Sequence, residues 1–344
     1  MKLALRRGRA TAGRPNRGFS LIELMVAIAI GLVLVAGLVT LFANSSGTTN
    51  EIEKSIRQIE NGRYAAELLS ENISIAGYYG ELTTEGVSLT NPAACATASN
   101  TLGWDNGLSA SPVVATVPLP MTGLSAVNAA DLTCLANYKA GTVALVLRHL
   151  DPNFVVPGAS TNGNVYLQTS RCATDPVATR FIASTASSDF TLKDINCVAI
   201  NKVQRYITRL YYIATCNECG ADTIPTLKRV ELQGANTVIS PLVEGIEDMA
   251  FDYGFDTNND GMPDIYRTGL SGTAGAQDND WKNVVGIRLN ILSRSTETSA
   301  DFTDTKSYAL GLSGARGPFG DHYKRRAYTM TARLNNVAGL RETP

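Results

Sequence analysis

The chain has 344 residues with 30 basic and 31 acidic side chains, a formal net charge of −1. Such a balance excludes a general nucleic-acid binder, which needs a basic surface to release counterions from phosphates. The length allows one large domain or two small ones, and six cysteines suit an oxidising compartment rather than a reducing one.

Residues 1–18 carry Lys2, Arg6, Arg7, Arg9, Arg14 and Arg17 and no acid, so the remainder holds 24 basic and 31 acidic side chains, a net of −7. Gly18-Phe19, a small residue before a bulky apolar one, leads into Ser20-Leu21-Ile22-Glu23. From Leu24 to Ala43 the chain is uncharged and built of Leu, Val, Ile, Ala and Gly with few exceptions. At about 1.5 Å per residue that run makes a helix of roughly 30 Å, the thickness of a bilayer's hydrocarbon core. It reads as a membrane anchor, with the basic leader cytoplasmic and everything after Ser45 outside.

Glu23 is the anomaly. An acid in a span costs on the order of 2.5–3.5 kcal/mol near the centre and less near an end, so it calls for a partner. A cut between Gly18 and Phe19 would make Glu23 the fifth residue and place a new α-amino group within about one helical turn of it. The amine of one subunit could then neutralise the Glu of its neighbour. A secretory signal would carry a small-residue cleavage site after its apolar core, and Leu38 to Ser46 matches that poorly.

From Asn50 the helical period continues: Ile52, Ile56, Ile59, Ala66, Leu69 and Ile73 form one stripe expected to pack on the core, and Gly77 is the stop signal. One unbroken helix from Phe19 to Ala76 would be roughly 87 Å long, with Gly31, Gly37 and Gly47 as places to bend. Glu81 to Leu135 reads as a long irregular connection containing short strands or turns tied by Cys95. Strand signals then cover Thr142–Arg148, Asn164–Gln168, Val203–Ala214, Thr226–Gln233, Met249–Phe255, Val284–Leu292 and Arg326–Leu334. A long helix followed by many antiparallel strands is an α+β plan.

Asp256-Thr257-Asn258-Asn259-Asp260-Gly261-Met262-Pro263-Asp264 puts oxygen side chains at positions one, three, five and nine, with Gly at six. Alternating positions would let Asp256, Asn258, Asp260 and Asp264 converge, with the Met262 carbonyl, on a Ca²⁺ ion. Position twelve is Arg267 where an EF-hand has Glu, so the site would be weak or borrow Asp252, Asp278 or Asp280. The competing reading is a polar turn. Cys216-Asn217-Glu218-Cys219 has C-x-x-C spacing, but with only His149 and His322 in the chain a zinc site lacks ligands. A structural disulfide is favoured over redox chemistry, and Cys95–Cys134 with Cys172–Cys197 are the simplest pairs among 15 connectivities. Lys324-Arg325-Arg326, beside His322 and Tyr323, reads as a solvated strand edge in preference to an anion patch. No Gly-x-Ser-x-Gly elbow or phosphate-cradling loop occurs; the chain reads as a non-enzyme.

Gly18-Phe19-Ser20-Leu21-Ile22-Glu23-Leu24 resembles the class III prepilin leader of type IV pilins and pseudopilins. Glu60-Asn61-Gly62-Arg63-Tyr64-Ala65, with Ala76-Gly77-Tyr78-Tyr79-Gly80, is similar to the PilW family of minor pilins, apart from Asn72-Ile73-Ser74, where that family carries a basic residue. Trp281-Lys282-Asn283-Val284-Val285-Gly286-Ile287-Arg288-Leu289 and Phe319-Gly320-Asp321-His322-Tyr323-Lys324-Arg325-Arg326 carry the same likeness. Glu81 to Ile200 matches no named pattern.

The resemblance implies a type IV pilin-like α+β fold. Residues 1–18 would be a cleaved leader, 19–46 the transmembrane and filament-packing half-helix, 47–77 its amphipathic continuation and 78–344 a periplasmic or extracellular β-rich head. It implies cleavage at Gly18 and methylation of Phe19 by a prepilin peptidase, with Glu23 guiding assembly. The expected partners are other minor pilins, the major pilin, the inner-membrane assembly platform and a tip adhesin. The role implied is priming a type IV pilus and sitting at its tip. A pseudopilin of a type II secretion system and a membrane-anchored extracellular ligand-binding domain are the alternatives.

Overall fold

The computed structural model describes residues 18–82, 87–106, 115–124, 131–159, 163–175, 181–269 and 280–342. The basic leader up to Arg17, and Asp278, lie outside them. The chain divides into a unit ending at Glu53 and a second that begins at Lys54.

Helix α1 spans Leu21–Ile75, 55 residues. Its apolar start follows from the Leu, Ile, Val and Ala composition, and Ser20 caps it. Within the second unit, Gln58, Gly62, Ala65, Ala66, Leu69 and Ile73 are its buried side. The stripe expected from periodicity is therefore corrected at one end: Ile52 is 54% and Ile56 48% exposed, whereas Gln58 is 7% exposed. The cause is the surface that residues 54–61 meet, which presents backbone carbonyls and the Glu297 carboxylate. Lys54 Nζ donates to Thr298 O at 3.0 Å, Gln58 Nε2 to Ser293 O at 3.2 Å and Asn61 Nδ2 to Glu244 O at 3.1 Å. Amide and ammonium side chains satisfy those acceptors and isoleucine cannot. Further along, Leu69 and Ile73 are fully buried, worth roughly 1.5–3 kcal/mol each. Asn72 Oδ1 accepts from Arg209 Nη1 at 2.8 Å, so this departure from the family pattern is a contact with the sheet.

The helix stops as the glycine signal requires. Gly77 has φ of +78°, and its N–H donates to Arg148 O at 2.9 Å. The next residues dock rather than wander: Leu150 N donates to Tyr78 O at 2.7 Å and Tyr79 Oη to Pro118 O at 2.7 Å. The Ala-Gly-Tyr-Tyr-Gly run is thus a device for turning the chain off the helix and onto the sheet.

The strands are β1 (Ser88–Thr90), β2 (Thr116–Pro118), β3 (Met121–Leu124), β4 (Ala144–Val155), β5 (Tyr166–Thr169), β6 (Phe181–Ser184), β7 (Val203–Ala214), β8 (Thr226–Gln233), β9 (Asn236–Glu244), β10 (Ile246–Phe255), β11 (Ile265–Arg267), β12 (Val284–Arg294), β13 (Tyr308–Ala309), β14 (Ala315–Arg316) and β15 (Arg325–Arg333). Seven form one sheet in the order β3-β4-β7-β5-β6, with β8 also paired to β7 and β9 to β8. Four form a second, β11-β10-β12-β15, antiparallel throughout. Every strand expected from alternation is present, β7 and β8 with the expected ends and the others with shifted ones. Strand β9 was not expected, because its exposed edge carries Asn, Thr, Ser and Pro and shows no clean period.

One hydrophobic core joins Ala66, Leu69 and Ile73 of α1 to Leu145, Tyr211 and Ile213 of the larger sheet and Phe251, Ile287 and Leu289 of the smaller. A second gathers around Trp104, which meets Tyr79, Phe181 and Tyr206 edge-on at 5.2, 5.5 and 5.3 Å. Disulfides join Cys95–Cys134, Cys172–Cys197 and Cys216–Cys219, and no cysteine is free.

The basic run near the end is corrected. Arg325 is buried, not a solvated edge. Its Nη1 meets Asp304 Oδ2 at 2.9 Å and Asp321 Oδ1 at 2.6 Å, its Nε binds Glu247, and its guanidinium lies 3.7 Å from the Phe319 ring centroid. Asp304 and Glu247 are themselves buried acids; the arginine fork bridges them, and Glu247 also meets Lys139 Nζ at 3.7 Å and Arg294 Nη1 at 3.8 Å.

Candidate functional site

The N-terminal segment is the best candidate. Gly18, Phe19 and Ser20 are exposed and precede the helix, and Phe19 is 86% exposed. Ser20 and Glu23 form a reciprocal capping box: Glu23 N donates to Ser20 Oγ at 3.2 Å and Ser20 N donates to Glu23 Oε2 at 3.0 Å. These bonds satisfy two of the amides that every helix start leaves open, and they place the carboxylate at the positive end of the dipole. Glu23 is therefore already held in position beside the Gly18-Phe19 junction. Sequence reading missed this pairing although the Ser-x-x-Glu spacing announces it.

Beyond the cap, Leu24, Val26, Ile28, Leu32, Val35 and Phe42 are among many large apolar side chains left exposed around the helix. Among the described residues, this is the one helix long and apolar enough to cross a membrane. A helix apolar all round is stable only in lipid or against other such helices.

The Asp256–Asp264 loop brings its acids together in a different way from a cation site. Asp256 is buried; its Oδ1 accepts from Asn259 N at 2.7 Å and its Oδ2 from Gly261 N at 2.9 Å and Arg341 Nη1 at 3.2 Å. Burial pushes its carboxyl up, but the Gly261, Arg341 and Asn259 bonds outweigh this and hold it below the usual range. Asp260 accepts from Asn258 Nδ2 at 3.0 Å and Met262 N at 2.7 Å. Asp264 Oδ2 accepts from the Thr257 hydroxyl and amide, both at 2.7 Å, which lower its pKa. Arg341 also reaches Asn259 Oδ1 at 3.1 Å, Lys282 O at 2.7 Å and Asn283 Oδ1 at 2.9 Å. Among the described residues, no three His, Cys, Asp or Glu side chains form a group able to hold a metal ion. As placed, the loop's oxygens face backbone amides, the Thr257 and Asn258 side chains and a guanidinium. Arg341 lies far along the chain, so no local signal foretold it.

In the C-x-x-C loop, Asp222 accepts from Asn217 N at 2.8 Å and Glu218 N at 2.6 Å, closing the turn. His149 is buried with Nδ1 against Leu150 O at 2.9 Å, and His322 is exposed with Nδ1 against Phe302 O at 2.6 Å. These two histidines lie on β4 and before β15.

An exposed, capped N-terminal junction followed by a helix bare of polar cover is the arrangement of a membrane-anchored chain, and comparison with known families says of which class. Residues 13–39 match the prokaryotic N-terminal methylation motif, and residues 210–336 match the family Type IV Pilus-assembly protein W. The second match runs from β7 to the turn after β15, through both sheets. Together the two support a type IV pilus minor pilin, a structural protein rather than an enzyme. Comparison with curated proteins and with solved structures found no match.

Proposed function

We propose that this chain primes assembly of a type IV pilus and is incorporated at or near its tip. The observation that carries the proposal is the coincidence of the capped Glu23, the exposed Gly18-Phe19 junction and the uncovered apolar helix on a chain whose head matches a pilus-assembly family. A peptidase frees the Phe19 amine, which is methylated and stays positive. In the packed fibre that amine meets the Glu23 carboxylate of a neighbouring subunit, and each charge offsets the other's cost in lipid. Apolar side chains of adjacent helices cover one another as the subunit leaves the membrane. The head then faces the periplasm and, in the fibre, the outside, where its partners are other minor pilins, the major pilin and a tip adhesin.

A deletion strain tests this. Loss of surface pili and twitching with exoprotein secretion unchanged is the expected result. Lost secretion with normal pili would instead show a pseudopilin, and intact pili with loss of ligand capture would show an anchored binding domain.

A further inference from the structure

Of the six cysteines, Cys219 is the exposed one; its partner Cys216 is buried. Beside it stands Lys228 of β8, whose side chain is buried in the sheet. Lys228 Nζ donates to Asn217 O at 2.9 Å and lies 3.5 Å from Cys219 Sγ. Among the described residues it makes no ion pair with a carboxylate. Asp222, the acid that closes the loop, has its oxygens turned onto the amides of Asn217, Glu218 and Ile224. Glu218 is exposed. Those amides lower the Asp222 carboxyl and the Lys228 charge also helps, but the groups in direct contact with the ammonium are a carbonyl and a neutral sulfur, which compensate it poorly. Reduction of the disulfide would supply what it lacks, a thiolate in contact.

We propose that Cys216–Cys219 is a thiol-exchange site, open to a dithiol reductant or to a cysteine pair of a disulfide-exchanging protein, with Lys228 holding the thiolate that reduction leaves on Cys219. The first thiol of the dithiol loses its proton to solvent and, as thiolate, attacks the exposed Cys219 Sγ, forming a mixed disulfide and breaking the Cys216–Cys219 bond. Cys216, buried, leaves as a thiolate and takes a proton from solvent. The second thiol of the reductant loses its proton to water and attacks its own mixed-disulfide sulfur, closing the reductant's ring. Cys219 departs as a thiolate against Lys228. Two electrons pass from dithiol to protein, and one net proton is released to solvent.

The test is a dithiothreitol titration of the full chain in detergent micelles, with free thiols trapped by iodoacetamide and located by peptide mass spectrometry. Cys216 and Cys219 are expected to label at a reductant concentration at least about tenfold below that which opens Cys95–Cys134 or Cys172–Cys197. Opening together with or after those pairs would overturn the proposal. Lys228→Met should make the pair about tenfold harder to reduce, and Lys228→Arg should not. An unchanged titration in Lys228→Met would also overturn it. Where Lys228→Met fails to fold, Cys216→Ser in the native background decides: Cys219 should alkylate with a pH midpoint below the ordinary thiol value of about 8.5, and a midpoint at or above it refutes the role of Lys228.

Discussion

Arg341 decides how the Asp256–Asp264 loop is held. Its guanidinium ties Asp256 to Asn259, Asn283 and the Lys282 carbonyl, and so meets one of the five groups that the oxygen pattern would assign to a cation. Arg341→Ala would leave the buried Asp256 carboxylate with backbone amides only, at a cost of about 1.5–3 kcal/mol, read as a lower melting temperature. Wild-type melting is expected to be the same in EDTA and in about 1 mM Ca²⁺. A calcium-dependent rise would show that the acids can turn from their amides to a metal. At the same scale, the disulfides are unequal. The chain-entropy account gives about 2 kcal/mol for Cys216–Cys219, which closes a separation of 3 residues, and about 3.5–4 kcal/mol for the bridges spanning 25 and 39. Cys216–Cys219 is thus the bridge the fold can most readily open.

At the scale of elements, α1 is seated by a glycine. A Cβ at Gly62 would fall 2.2 Å from Tyr328 Cε2 on β15. Gly62→Ala should cost about 1–3 kcal/mol by overpacking, and Tyr328→Ala in the same chain should recover part of it. Simple additivity of the two would refute the contact. The Glu60-Asn61-Gly62-Arg63 pattern therefore has a packing cause: Asn61 holds a carbonyl and Gly62 admits a ring. The Arg325 cluster fixes the smaller sheet to the loops beside it. Arg325→Met takes the guanidinium from the buried Asp304 carboxylate and leaves Glu247 with Lys139 and Arg294, and should destabilise by roughly 3–5 kcal/mol, measured by denaturant unfolding; a change under about 1 kcal/mol would contradict the pairing. Arg325 also holds the Asp321 carboxyl below its ordinary value. A carboxyl lowered on folding adds stability that is complete above about pH 4 and is lost as pH falls through its folded value. The melting temperature should therefore fall in acid, and less steeply in Asp321→Asn.

Local grammar made much of this readable. The apolar run after Glu23, the glycine stop at Gly77 and the alternation of β10 and β12 each declare themselves within a few residues. What escaped depends on partners distant in sequence. Gln58 is buried because Ser293 offers it a carbonyl, whereas Ile52 and Ile56 remain exposed. Arg325 looked like solvated charge until Glu247 and Asp304 were beside it, and Lys228 on β8 and Arg341 beyond β15 meet partners in loops outside their own elements.

At the scale of the whole molecule, the central claim concerns a carboxylate that is held at the helix start and awaits a positive neighbour. Its direct test is immunoblotting of sheared pili from strains carrying Glu23→Ala or a cleavage-blocking Gly18→Glu in place of the native chain. Both variants are expected to accumulate in the inner membrane and to be absent from the pilus fraction, with pili reduced or lost. Wild-type amounts of either variant in intact pili would contradict the account.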